Sequence, residues 1–421
     1  MLNKVKMEEN FMRRKISIAL SLLMIASTLG ACGGKTAAAP AASKNADAPS
    51  ETVADSGKTP IKIAFSGPMT GDYAEYGQNF YAACEIAADE INSNGGLLDG
   101  SPVELLQFDD KNSQEEVGAI AEMIASDDSI AAVLGHFSSG VAMTAANTYM
   151  DAGIPLLSAS ASHPDYSGMG EYIFRNNVLI SQEVETVLQI CQNSGSKRVG
   201  VLVLKNDWGQ GALQAMETAY EQVKGKVDFE IVLQEEVMDG TEEFSANITK
   251  FMEQDCDTVF VLTMYATFAP FANQYRTLNP DIKMFSVGSA YSTELINLGG
   301  SAVEGVRMCA GFNPENPDPA AQKFVQQFNE KTGHDPDNMA VQTYENVNMI
   351  AQAIERAGSA ERSAIKDALY DTDYDAITGH ITFDEIGDAQ KNLLVFEVSG
   401  GKFVELKDMV ILPWNEFVAS L

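Results

Sequence analysis

Four histidines, five cysteines and a set of serine-rich loops are the residues of this 421-residue chain whose types could do chemistry. His136, in Leu134-Gly135-His136-Phe137-Ser138-Ser139-Gly140, could take a proton from a serine hydroxyl, the base–nucleophile pairing of acyl transfer. No oxyanion signature accompanies it and no carboxylate can be assigned to orient its ring, so a scaffolding role is the expectation. Neither HExxH nor GxSxG occurs. Cys32, Cys84, Cys191, Cys256 and Cys309 show no CxxC pairing and no histidine at ligand spacing, so neither structural zinc nor any other metal or cofactor is expected. Trp208-Gly209-Gln210-Gly211 opens a helical stretch after a β-branched run, as a dinucleotide turn does. The third glycine of that fingerprint is replaced by Gln214. The chain therefore reads as a binder rather than an enzyme.

The more informative feature is one geometry used three times: an apolar run, a Gly/Ser/Thr-rich loop, then the start of a helix. It occurs at Ser66-Gly67-Pro68-Met69-Thr70-Gly71, at 135–140 and at Ser158-Ala159-Ser160-Ala161-Ser162. In open α/β sheets ligands bind outside the carboxyl ends of the strands. There, free backbone N–H groups, the positive end of a helix dipole and serine hydroxyls suit an anion such as a carboxylate. The plainer alternative is that Ser158, Ser160 and Ser162 cap a helix.

The elements that must position these loops are legible as alternation. Short β-branched runs at 61–66, 103–108, 130–134, 199–204, 229–233, 258–262 and 283–287 are separated by amphipathic stretches, the signature of βαβ units and a parallel sheet covered on both faces. Over 76–93, Phe80, Ala83, Ala87 and Ile91 recur at helical spacing, and Asn94-Gly95-Gly96 follows with residues able to take positive φ. The pattern runs from 61 to 178 and restarts from 197 to 290, which predicts two doubly wound lobes. The polar, proline-rich GFNPENPDPAAQ then leads to two further helical stretches and a β-rich end with no sheet of their own. These must complete one or both lobes, so the chain crosses between lobes more than once.

Before the lobes comes an address. Arg13, Arg14 and Lys15 precede the apolar run ISIALSLLMIA, an export signal too short to cross a bilayer comfortably. It ends in Leu29-Gly30-Ala31-Cys32, which resembles a bacterial lipobox with Cys32 as the lipidated residue. Residues 32–60 lack the large apolar side chains that could offset their ordering entropy and read as a tether. The four remaining cysteines are expected as free thiols in an extracytoplasmic, lipid-anchored protein. The whole chain has 28 Lys+Arg against 59 Asp+Glu and a net charge of −31; removing residues 1–31, with five Lys/Arg and two Glu, leaves −34. Such acidity argues against a nucleic-acid partner, whose phosphates need neutralising cations.

The ordered set Ile63-Ala64-Phe65-Ser66-Gly67-Pro68-Met69-Thr70-Gly71, Tyr76-Gly77, INSNGG, LLQFDD, Gly135-His136-Phe137-Ser138-Ser139 and Gly153-Ile154-Pro155 resembles the leucine/isoleucine/valine-binding protein family. These are the type I solute-binding proteins of branched-chain amino acid ABC importers, and the resemblance spans 61–410. It implies two Rossmann-like lobes joined by a three-stranded hinge, with lobe 1 at 61–178 plus 313–390 and lobe 2 at 179–312 plus 391–421. It also implies a monomer that closes on a small amino acid or related carboxylate and presents it to the importer's permease. By the same likeness, Ser139, Ser160 and Ser162 would hold the carboxylate, Ser138 would also contact the ligand and Tyr76 would pack over it. Trp208, Tyr265 and Ser289 would face it from lobe 2. One departure stands out. The family's acidic partner for the α-ammonium is missing, since this chain has Gly288-Ser289-Ala290-Tyr291 at one expected place and Val178-Leu179-Ile180-Ser181 at the other. Either another acid, such as Asp207 or Glu183, supplies the charge, or the ligand is not a zwitterion but an aromatic or keto acid, an amide or urea. A sensor that docks on a membrane signalling protein is a further alternative to transport.

Overall fold

The computed structural model of the chain describes residues 58–166 and 168–421. The expected signal at 1–31, the expected lipidation site Cys32 and all but the last three residues of the expected tether at 32–60 lie outside the described residues.

The first lobe is built in order from β1 (Ile61–Gly67), α1 (Ala74–Ser93), β2 (Val103–Asp109), α2 (Gln114–Ala125), β3 (Ile130–Gly135), α3 (Ser139–Asp151), β4 (Leu156–Ser158) and β5 (Ile173–Arg175). Its five strands are parallel, in the order β2-β1-β3-β4-β5. The second follows with α4 (Ile180–Asn193), β6 (Arg198–Leu204), α5 (Asp207–Val223), β7 (Glu230–Val237), α6 (Ser245–Glu253), β8 (Thr258–Leu262), α7 (Tyr265–Leu278), β9 (Lys283–Ser286), α8 (Thr293–Gly299) and β10 (Arg307–Ala310). The rest of the chain adds α9 (Pro319–Thr332), α10 (Asn338–Ala357), α11 (Arg362–Tyr370), β11 (Tyr374–Ala376), β12 (Gly379–Ile381), β13 (Leu394–Ser399), β14 (Lys402–Glu405) and α12 (Trp414–Ser420). α9 and α10 pack on α1, while β13 and β14 extend the second sheet antiparallel to β10, in the order β14-β13-β10-β9-β8-β6-β7. The late helices thus complete the first lobe and the late strands the second.

All seven strands expected from β-branched runs form, because runs such as TVFVL in β8 are buried along their whole length between helices. The run expected at 229–233 extends as β7 to Val237. It is an edge strand, so Gln234 and Glu236 pair with β6 through their backbone while their polar side chains reach solvent, and Glu235, pointing to the other face, accepts from Asn247 and pairs with Lys250. β4, β5 and β10 were not expected; three or four residues are too few to show a period. Past α1, Gly95 (φ 107°) and Gly96 (φ 78°) make the turn with positive φ, whereas Asn94 stays at −86°.

Three segments carry the chain between the sheets: after β5, after β10 and after β12. Buried polar groups tie them together. The Arg175 guanidinium, on the first, lies 2.7 Å from Asp388 on the third, both buried. Lys391, also on the third, donates to Asn176 Oδ1 at 2.8 Å and lies 3.3 Å from Glu345 of α10, which also accepts from Asn176 at 3.1 Å. The second is held by the Gly311 N–H, which donates to Asn338 Oδ1 at 2.9 Å. Removing one partner of a buried ion pair costs about 3–5 kcal/mol, so these bonds fix the three crossings relative to each other. Cys84, Cys191, Cys256 and Cys309 are buried free thiols.

Candidate functional site

The carboxyl ends of the two parallel sheets meet, and between them is a narrow cavity of about 20 Å³, about the room that one ordered water needs. Phe137, Ser138, Ser139, Ser160 and Ser162 line it from the first lobe and Glu183, Trp208, Met264, Gly288 and Ser289 from the second. Asn177, Asn338 and Met339 complete the wall.

The first-lobe wall is two loops sewn together by hydroxyls. Ser160 Oγ donates to Phe137 O at 2.7 Å, and Ser139 Oγ accepts from the N–H groups of Ser162 and His163, both at 3.2 Å. Ser158 Oγ accepts from Ala161 N–H at 3.0 Å. These serines cross-brace loops and do not cap a long helix. The brace fixes the amino end of α3, where the Ser138 side chain makes no capping bond, so the first-turn N–H groups and the helix dipole are available to an anion. The third Gly/Ser/Thr loop, 66–71, does not line the cavity. Asp109 consumes its donors, accepting from Met69 N–H at 2.9 Å, Thr70 N–H at 3.3 Å and Thr70 Oγ1 at 2.6 Å.

His136 lies behind this wall. Its Nδ1 is 2.6 Å from Asp110 Oδ2 and its Nε2 is 3.3 Å from the Tyr149 hydroxyl, all three side chains being buried. Asp110 is the orienting carboxylate that sequence spacing could not assign. With Tyr149, not a serine, at Nε2, the ring braces the loop.

The second-lobe wall begins at α5, whose Asn206 cap accepts from Gly209 N–H at 2.9 Å. Gly209 is required there: a Cβ would come within 1.8 Å of Leu204 O. Gly211 likewise lets His163 of the first lobe approach, since a Cβ would lie 2.4 Å from its ring. Close packing, not phosphate binding, accounts for this glycine pair. It turns Trp208 into the cleft, where Nε1 donates to Ser162 Oγ at 2.9 Å across the lobes.

Of the eight residues expected to touch a ligand, six line the cavity: Ser138, Ser139, Ser160, Ser162, Trp208 and Ser289. Tyr76 and Tyr265 lie beside it. The Tyr76 ring stacks on Phe137 at 4.5 Å and its hydroxyl donates to Ser289 O at 3.1 Å, while the Tyr265 hydroxyl bonds Glu75. Of the two candidate acids, Asp207 is held outside the cavity by Gln114, and Glu183 faces into it. One Glu183 carboxylate oxygen accepts from Gly288 N–H at 2.8 Å; the other has no partner among the described residues. Burial pushes this carboxyl up to about 8, against the lowering effect of the Gly288 bond. Among the described residues no lysine or arginine lines the cavity, so no cationic side chain in the wall compensates the charge. Asn177, Asn338 and Met339 were not anticipated: the last two come from the start of α10, far along the chain. No cluster of three or more His, Cys, Asp or Glu among the described residues could hold a metal ion, and no helix among them is long and apolar enough to cross a membrane.

A cavity between two sheet ends, joined by three crossings, is the architecture of a cleft-closing binder, and the family description of periplasmic binding proteins matches residues 60–402. The chain belongs to the periplasmic binding protein family. A periplasmic binding protein of this type holds its solute without transforming it, outside the cytoplasm, and the fold is the type I form with two lobes and a three-stranded hinge. A leucine-, isoleucine-, valine-, threonine- and alanine-binding protein of Pseudomonas aeruginosa is 27% identical over 331 residues, covering 78% of this chain and 87% of that protein. A leucine-specific-binding protein of Salmonella typhimurium is 26% identical over 332 residues, covering 78% of this chain and 88% of that one. Among solved structures, a leucine-binding protein from Thermotoga maritima superposes with a TM-score of 0.74 at 25% identity, covering 82% of this chain and 97% of the other.

Proposed function

We propose that this periplasmic binding protein captures a small α-amino acid with an aliphatic side chain, by closing its lobes, for an ABC importer. Glu183 is the observation that carries this reading: a buried carboxylate with one unpaired oxygen in the cavity and no cationic side chain on the wall. A buried charge needs a partner, and the α-ammonium of an amino acid is the partner the cavity lacks. The ligand carboxylate then faces the opposite wall, at the amino end of α3, where Ser138 and Ser139 offer N–H and hydroxyl donors. Phe137, Trp208, Met264 and Met339 supply apolar surface for the side chain. The names of the relatives agree with this ligand class.

The raised Glu183 carboxyl supports one competing reading. Kept protonated, it would donate to a neutral acceptor, and the ligand would be an acid or amide without an ammonium group. Thermal shift of the purified protein across a panel of amino acids and their des-amino analogues separates the two. Stabilisation by aliphatic amino acids alone supports the first reading; stabilisation by the analogues alone overturns it.

The lipobox supports a membrane-anchored form that delivers ligand to the importer's permease. In cells fed a labelled fatty acid, wild type carries label and fractionates with membranes while Cys32→Ser does neither; label on the variant overturns the anchor.

A further inference from the structure

α4 carries two acids that face opposite ways. Glu183 turns into the cleft. Glu185, two residues on and so about 200° further round a helix of 3.6 residues per turn, lines a second cavity of about 460 Å³, within the range of small-molecule sites. Its wall is formed by Gln182 and Glu185 of α4, Asn392 and Leu393 of the third crossing, and Ile411 and Trp414 near the C-terminus. This wall is fixed in place. The Gln189 side chain donates to Leu412 O at 3.0 Å and accepts from Leu412 N–H at 2.9 Å, which ties the C-terminal segment to α4. Trp414 Nε1 donates to Gln222 Oε1 of α5 at 3.2 Å.

The half-buried Glu185 carboxyl has no hydrogen bond or ion pair among the described residues. Burial alone raises it to about 7, with no neighbouring cation to lower it. Lys391 also lines the cavity, but its buried ammonium is already spent on Asn176 at 2.8 Å and Glu345 at 3.3 Å. The side-chain amides of Gln182 and Asn392 make no bond among the described residues. A carboxylate drawn out of water without a partner is stabilised by a cation. A divalent metal ion is not the match, since no cluster of three His, Cys, Asp or Glu among the described residues could hold one. An ammonium group brings three donors, which a carboxylate and amide oxygens accept, and the Trp414 ring suits a cation with an apolar body. We infer that this cavity is a second binding site, for a small organic ammonium ion: Glu185 pairs with the charge, and Trp414, Leu393 and Ile411 cover the apolar body. An amino acid does not suit it, because the wall offers its carboxylate no free cation. The inference is independent of which solute fills the cleft.

The chain has two tryptophans, Trp208 in the cleft and Trp414 in this cavity, so each site has its own indole signal in proton–nitrogen correlation spectra of the isotope-labelled mature protein. The protein is titrated with butylamine at about pH 8, where the amine is charged and the Glu185 carboxyl ionised, and with butanol and butyrate as uncharged and anionic controls. The Trp414 signal, identified by its loss in Trp414→Phe, should shift saturably with butylamine and with neither control. Glu185→Gln keeps the shape of the side chain and removes its charge. It should resist urea at least as well as wild type and weaken butylamine by about tenfold to a hundredfold, the worth of a hydrogen bond to a charged group. A Trp414 shift that butanol reproduces, or that Glu185→Gln leaves unchanged, would overturn the ammonium site, as would the absence of a saturable Trp414 shift. A shift of Trp208 alone would place the amine in the cleft and overturn it too. If the variant does not fold, the comparison of butylamine with butanol decides alone.

Discussion

Replacing Glu183 by glutamine keeps the shape of the side chain and removes its charge. In the folded protein the carboxyl titrates at about 8 instead of 4.5, because it is buried with only the Gly288 N–H to stabilise its anion. Ionising it in place therefore costs about 5 kcal/mol more than in water. Between these two values the folded chain keeps a proton that the unfolded chain releases, so ligand-free stability falls as pH rises through the window, by about 5 kcal/mol in total. Urea denaturation from pH 5 to 9 should show this decline in wild type and a flatter profile in Glu183→Gln, with the variant the more stable of the two at pH 9. Ligand binding should move the other way. An α-ammonium beside Glu183 replaces the proton, and in the variant the glutamine amide oxygen keeps the Gly288 bond while its NH₂ faces the ammonium. Amino-acid affinity should fall by about 3–5 kcal/mol, about a hundredfold to a few thousandfold, the penalty of breaking a buried ion pair. Calorimetry in buffers of different ionisation heat should also record proton release on binding by wild type at pH 7, and none by the variant. Unchanged affinity with unchanged proton release would refute the assignment of Glu183 to the ammonium.

Two further substitutions probe other parts of the account. Ser162→Ala leaves the buried Trp208 Nε1–H without its acceptor at 2.9 Å and should weaken ligand binding by about 1–3 kcal/mol in calorimetric titration; unchanged affinity would remove this bond from the closed state. Asp388→Asn leaves the buried Arg175 charge uncompensated and should lower stability to urea by about 3–5 kcal/mol, a loss under 1 kcal/mol showing that the crossings are held by other contacts.

Much of the architecture is legible in the sequence because continuous apolar runs such as β3 and β8 can be buried on both faces only in a parallel sheet. The serine loops were legible for the same reason: a strand end followed by small polar residues and a helix start has few other uses. What the sequence hides is which side of a loop faces the cleft. The loop at 66–71 has the composition of a binding loop, yet Asp109 from the neighbouring strand takes its donors. Tyr76 and Tyr265 are in the right elements for ligand contact, but their hydroxyls find partners across the lobes. Choosing between Asp207 and Glu183 required the relative orientation of α4 and α5 over the cavity, which no local pattern encodes. Asn338 and Met339 carry no motif at all; they reach the wall because α10 packs on α1.

The central claim is that Glu183 makes this cleft select a zwitterion. Calorimetric titration of the purified protein at pH 7 with L-leucine and with 4-methylpentanoate, which differs only in lacking the ammonium group, tests it directly. Saturable leucine binding with the analogue at least about a hundredfold weaker is the predicted result. Equal or tighter binding of 4-methylpentanoate would contradict it.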